Sequence, residues 1–249
     1  MGECDIIIPV WNMREMTEEC VDSINRDSGR AFRLIIVDNG SDEETAYYLK
    51  ALEARGALLI RNDKNLGFAK AVNQGLKAST APYVCVMNND TIAAAGWLGE
   101  MCRVMEAHPE IGILNPSSNT LGQFPGGDGV NEFAAKLRPL SGATQELSVC
   151  RGFCMLIRRD VIDKVGLLDE KFDIGFFEET DYCKRAGVAG FKMARAKAAY
   201  VYHRESASFS MRPDTDMIFR RNELRYFAKW GRPVQAAYFA TDRAAASDI

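Results

Sequence analysis

The sequence predicts an α/β protein with a mostly parallel central sheet flanked by helices and a mixed second half. Three observations predict it. Four short apolar runs, residues 5–10, 32–37, 57–60 and 83–87, alternate with helix-spaced segments over the first ninety residues, as in a parallel, right-handed wound sheet. A polar cluster follows each run: Trp11-Asn12, Asp38-Asn39-Gly40, Asn62-Asp63 and Asn88-Asn89-Asp90. Open α/β sheets bind ligands beyond the carboxyl ends of their strands, so the four clusters point to one shared cleft. Beyond residue 96 the alternation weakens and the elements become irregular.

Taken in order, residues 5–10 (DIIIPV) form a strand. Cys20, Val21 and Ile24 then mark a helix over residues 17–27 with Thr17 as its N-cap. Residues 32–37 (FRLIIV) form the second strand and end in a turn cluster. Ser41 and Asp42 open a helix to about residue 54, and residues 57–60 make the third strand. Asn65-Leu66-Gly67-Phe68 leads into an Ala-rich helix ending near residue 78. The fourth strand, residues 83–87 (YVCVM), is an uninterrupted apolar run that suits burial on both faces. A helix over residues 96–107 and a strand over 111–114 follow. Residues 116–146, rich in Gly, Pro, Ser and Asn, read as a long functional or mobile loop. A strand-like stretch covers 147–158, with short helices near 160–165 and from the acidic run at 178–181 to about 187–190. A strand over 198–203, a helix over 214–230 and an Ala-rich tail complete the chain. These elements predict one domain over residues 1–230, with a ligand-binding half (1–95), a second half (96–213), the C-terminal helix and a tail (231–249).

The chain has 249 residues, 47% of them apolar and 26% charged, with a net charge of −3. That composition fits a globular domain and gives no bulk-charge reason to expect nucleic-acid binding. Seven cysteines without a CxxC fit reduced core thiols in the cytosol better than zinc or a disulfide framework. The first strand leaves no room for a signal peptide, and no apolar run reaches the roughly 20 residues of a membrane span. A cytoplasmic location is expected. No GxGxxG follows the first strand and no GxxxxGK[ST] occurs, which argues against a dinucleotide fold and a P-loop.

Two further features carry candidate chemistry. Glu178, Glu179 and Asp181 open a helix after two phenylalanines. They are either favourable charge at a helix N-terminus or carboxylates whose apolar surroundings raise a pKa toward that of a general base. His203 ends a strand in VYHRES; if that end abuts Asp90, the two could share a divalent cation. The last helix carries Arg220, Arg221, Arg225, Lys229 and Arg232 among Phe219, Tyr226, Phe227 and Trp230. Such a helix either packs on the domain or rests on the inner face of an anionic membrane.

The succession IPVWN, VDNGSDEET, NLGFAKAVNQG, NND, RGFCMLIRRD, FFEETDYCKRAG and YHRESAS resembles family 2 glycosyltransferases, and more narrowly their bacterial rhamnosyltransferase-like branch. It spans residues 4 to about 210. The resemblance implies an inverting enzyme with a GT-A fold, whose sheet is Rossmann-like. It also implies a dTDP-rhamnose or UDP-sugar donor and a glycan or lipid-linked acceptor, as in cell-surface polysaccharide synthesis. It places Pro9, Trp11 and Asp38 at the nucleotide base and ribose, and Asn65, Gly67, Ala71 and Asn73 beside the nucleotide. Asn88, Asn89 and Asp90 take the place of the DxD motif that holds Mn2+ or Mg2+ on the donor diphosphate, and His203 completes that metal site. Glu178 and Glu179 match the acidic pair whose second member deprotonates the acceptor; the sequence leaves the choice open and favours Glu179. Asn88 departs from the DxD pattern by replacing a carboxylate with an amide, and Glu179 stands where Asp is common. The alternatives are a catalytically impaired GT-A domain that binds a nucleotide sugar or a partner, which Asn88 favours, and a nucleotidyltransferase, which the missing basic, Gly-rich loop disfavours.

Overall fold

The computed structural model describes residues 3–172, 175–204 and 214–231; Arg232 and the rest of the expected tail lie outside the described residues. Its first part alternates as expected: β1 (Cys4–Val10), α1 (Arg14–Arg26), β2 (Phe32–Asp38), α2 (Glu43–Ala54), β3 (Leu58–Arg61), α3 (Phe68–Ala78) and β4 (Tyr83–Met87). β1 lies parallel to both β2 and β4, and β2 lies parallel to β3. The second part contributes β5 (Thr91–Ala93), α4 (Trp97–Ala107), β6 (Ile111–Ser117), α5 (Val130–Leu137), β7 (Thr144–Leu147), β8 (Cys154–Arg158), α6 (Arg159–Val165), α7 (Glu178–Val188), β9 (Lys192–His203) and α8 (Thr215–Trp230). Among the described residues, one nine-stranded sheet runs β3-β2-β1-β4-β8-β6-β9-β5, with β7 paired to β9 off that path. β8 enters antiparallel between β4 and β6, which is where the parallel half becomes mixed.

Period-two alternation explains why β4 sits at the centre. Tyr83, Cys85 and Met87 face the core formed with α1 and α4, while Val84 and Val86 face the core formed with α3, α6 and α7. All five are buried, and burying each aliphatic side chain stabilises the fold by about 1.5–3 kcal/mol. Asp5 is the polar exception on β1. Its carboxylate accepts two hydrogen bonds from Arg33 and two from the Thr80 and Ala81 N–H groups. Burial works to raise its pKa, but those partners outweigh it and the net shift is downward.

Several expectations need correction. α1 begins at Arg14, and Thr17 lies inside its first turn, where its hydroxyl donates to the Met13 carbonyl instead of capping. Residues 116–146 are not one long loop: they hold the end of β6, a 3-10 turn at Asn119–Leu121, α5 and the start of β7. Gly and Pro punctuate these short pieces and hide them from periodicity. The stretch 147–158 holds the last residue of β7, a turn and then β8, and the last strand begins at Lys192. β5, three residues long, gives too short a pattern to find. On α8, Phe219, Tyr226, Phe227 and Trp230 pack with Phe172, Phe176 and Phe177 inside the domain. Met217, Arg220 and Leu224 remain on its exposed side. Among the described residues no helix is long and apolar enough to cross a membrane.

Candidate active site

A cavity of about 390 Å³ opens where β1 and β4 leave the sheet. Its walls combine the ends of those strands with the turn after β2, the segment before β8 and the first turn of α7.

Strand pairing builds the first constellation. β5 runs antiparallel to β9 with Thr91 opposite His203, and the Arg204 N–H donates to the Asp90 carbonyl. Asp90 and His203, far apart in sequence, are thereby held side by side, with His203 Nε2 3.1 Å from Asp90 Oδ1. Asn88 Nδ2 lies 3.4 Å from the same ring nitrogen. The other nitrogen, Nδ1, is 3.1 Å from Thr120 Oγ1. Phe153 stacks on the imidazole at 5.4 Å, and Asn119 clamps the His203 backbone by both its N–H and its carbonyl. Asn89 lines the same cavity, and its side-chain amide donates to Thr17 Oγ1.

The acidic pair forms the second constellation. Glu178 is buried and Glu179 half-buried at the start of α7, both lining the cavity. Among the described residues, one oxygen of each carboxylate (Oε2) is buried without a hydrogen-bond partner. Burial, followed by the neighbouring Glu179 charge, pushes the Glu178 carboxyl well above the usual range. Burial also raises Glu179, opposed by backbone N–H groups of the helix start and by the Arg151 guanidinium. The Glu179 side chain lies beside Gly152, where an added Cβ would meet it at 3.8 Å. Two adjacent carboxyls of raised pKa lining one cavity suit a group that takes up a proton.

The remaining expected residues divide. Pro9, Trp11 and Asn65 line the cavity. Asp38 does not: it is fully buried, and its carboxylate pairs with Arg61 and accepts from the Ser41 N–H. Its neighbour Asn39 takes the wall position and ties the turn to Asn62, Asn65 and Leu66. Gly67 starts α3 at φ 90 behind Asn65, and Ala71 is in the core. Asn73 is committed to the Leu168 N–H and carbonyl and to Glu170. Asp181 is not among the residues lining the cavity and is held by Arg185, Lys229 and Trp230. Phe68, Thr120 and Phe153 line the cavity without a sequence signal, because each reads as an ordinary core or turn residue.

Asp90 and His203 could hold a divalent cation. Adjacent ligands of an octahedral ion with bonds of about 2.1 Å stand about 3 Å apart, which their 3.1 Å separation matches. If Nδ1–H donates to Thr120, the Nε2 lone pair is left facing Asp90, the tautomer that metal ligation requires. Among the described residues no group of three or more His, Cys, Asp or Glu side chains is arranged around a metal. Two side-chain ligands leave the other coordination positions of such an ion to further oxygens.

A mostly parallel sheet with polar groups at its strand exits, joined to a mixed half that carries the acidic helix start, matches the GT-A architecture. The model of glycosyl transferase family 2 matches residues 5–166, and the chain belongs to that family. The chain is 27% identical to the uncharacterised protein y4gI of Sinorhizobium fredii over 90% of its own length, and spans 27% of that relative. It is 30% identical to the amylovoran biosynthesis glycosyltransferase AmsE of Erwinia amylovora over 43% of the chain and 41% of the relative. Its fold matches the mannosyltransferase PcManGT of Pyrobaculum calidifontis, solved with GDP-Man and Mn2+, with a TM-score of 0.66 at 17% identity over 94% of this chain and 65% of that one. It also matches S. aureus TarS in complex with UDP-GlcNAc, with a TM-score of 0.63 at 14% identity over 90% and 66% of the two chains.

Proposed function

We propose that this domain transfers a sugar from a nucleoside-diphosphate sugar to a hydroxyl of a glycan or lipid-linked acceptor, inverting the anomeric centre. The observation that carries this reading is one cavity lined both by the Asp90–His203 pair and by the buried Glu178–Glu179 pair. Glu179 accepts the acceptor's hydroxyl proton. The oxygen then bonds to the anomeric carbon as the bond to the phosphate breaks, and the nucleoside diphosphate leaves. Asp90 and His203 would hold Mn2+ or Mg2+, which as a Lewis acid stabilises charge on the diphosphate. Trp11, Asn39, Asn65 and Phe68 offer a wall for the nucleotide. A dTDP-rhamnose or UDP-sugar donor and a role in cell-surface polysaccharide synthesis follow from the family resemblance.

The test is Glu179→Gln. Transfer should fall by about 10²–10⁴-fold, the usual worth of a general base, while calorimetry shows nucleotide binding unchanged. Near-normal turnover would remove Glu179 from the role. The second reading, a nucleotide-sugar-binding domain without turnover, is favoured by Asn88, which leaves the cation site one carboxylate short. It predicts nucleotide binding that Glu179→Gln leaves untouched, and no transfer by the wild-type chain with any donor.

A further inference from the structure

We propose that α8 is a brace for the acidic pair, and that Asn222 is a positioning residue which fixes the backbone carrying Glu178 and Glu179. The inference rests on the reading of Glu179 as proton acceptor and explains how that carboxylate is aimed.

The segment leading into α7 is strained. Phe176 and Phe177 are consecutive non-glycine residues with φ of 70 and 72, a left-handed conformation disfavoured for any residue with a Cβ. Such strain persists only where the surroundings over-determine it. α8 supplies those surroundings. Asn222 is fully buried, and its Nδ2 donates to the Gly175 carbonyl at 2.7 Å and to the Phe176 carbonyl at 3.3 Å. Arg225 donates to the Asn222 Oδ1 at 3.0 Å, which orients the amide. The Phe219 ring meets Phe176 edge-on at 5.5 Å and Phe177 at 5.2 Å.

The same helix holds the far side of the pair. Trp230 Nε1 and Lys229 Nζ each lie 2.8 Å from Asp181 Oδ1, and Arg185 pairs with Asp181 Oδ2. Asn222 thus fixes the carbonyls just before the acidic pair, and the end of α8 fixes the carboxylate two residues beyond it. A buried asparagine is a costly choice for helix packing alone, because its amide must be satisfied. Here that demand is met by the backbone of the segment that presents the pair.

The experiment uses the full chain with Asn222→Ala, Trp230→Phe and the exposed-face control Leu224→Ala. Amide hydrogen exchange over residues 175–181 reports the brace without reference to activity. In Asn222→Ala that segment should exchange faster by roughly tenfold or more. Below its melting temperature kcat should fall by about 10²-fold, the usual penalty of misplacing a catalytic group by an ångström, with nucleotide affinity unchanged. Trp230→Phe should move both readouts in the same direction by less, and Leu224→Ala should move neither. Adding Phe177→Gly to Asn222→Ala should restore part of the lost kcat, because glycine takes positive φ without strain. If Asn222→Ala does not fold, Phe219→Leu carries the same test from the ring contact.

Unchanged exchange over 175–181, or a drop in stability with kcat intact, would overturn the brace. If Glu179→Gln stays active, the assignment of the base fails, while the exchange result still decides whether α8 braces the segment.

Discussion

Burial works against the charge at Glu178 and Glu179, and the consequence can be measured. Their carboxyls hold protons more tightly in the folded chain than in the unfolded one, where a glutamate titrates near pH 4.3. A group with a raised folded pKa contributes stability that is complete below the unfolded pKa and is lost as pH rises through the folded one. Glu178→Gln removes that loss. Its melting temperature should exceed that of the wild type at about pH 8 by about 2–4 °C for each kcal/mol relieved, and the difference should vanish near pH 4.3. Scanning calorimetry at the two pH values checks this; an equal shift at both would show that Glu178 ionisation is not what costs stability. Transfer should follow the opposite sign, rising with pH as the pair ionises, because a proton acceptor must first be unprotonated.

The elements meet the site through strained or glycine-dependent turns. Asn12 and Met13 leave β1 with φ of 60 and 61, as Phe176 and Phe177 do before α7. Among the described residues these are the non-glycine positions with positive φ, and both pairs flank the cavity. The Asn12 turn is tied to the turn after β2, since Asn12 Oδ1 accepts from the Asp42 N–H and the Asn12 N–H donates to Ser41. Gly40 in that turn has φ 78, and a Cβ there would stand 2.5 Å from the Lys64 Cα. Gly40→Ala should destabilise the chain by about 1–3 kcal/mol and loosen the Asn39 network that shapes the nucleotide wall. Denaturant unfolding together with nucleotide affinity checks both effects. A variant as stable as wild type, with unchanged affinity, would contradict this account of the turn.

For the whole molecule, the sheet joins the two halves and sets both constellations around one cavity. A ligand that bridges them should stabilise the native chain by about 2.7 kcal/mol at a hundredfold excess over its Kd. Thermal shift with UDP, dTDP and GDP, each with and without Mn2+, should show one nucleotide acting in a Mn2+-dependent way. His203→Ala should abolish the Mn2+ dependence. A metal-independent shift would remove the cation from Asp90 and His203, and no shift with any nucleotide would favour another ligand.

The sequence by itself determined the parallel half of the sheet, because strands buried on both faces write continuous apolar runs and their exits write polar clusters. It also determined the chemical types at the site: Asn88, Asp90, Glu178, Glu179 and His203 were all legible as polar groups at element ends. Only the tertiary structure decided which of them meet. Asp38 ends β2 and Asn39 follows it, and the alternation of successive side chains along the chain sends one to an ion pair with Arg61 and the other to the cavity wall. Asp181 belongs to the same acidic run as Glu178 and Glu179, and helix rotation turns it toward α8. Asp90 reaches His203 through β5, a three-residue strand with too few residues to show a period. Local pattern reports what each residue is and how its segment folds; the company it keeps depends on non-local pairing, which no window of sequence contains.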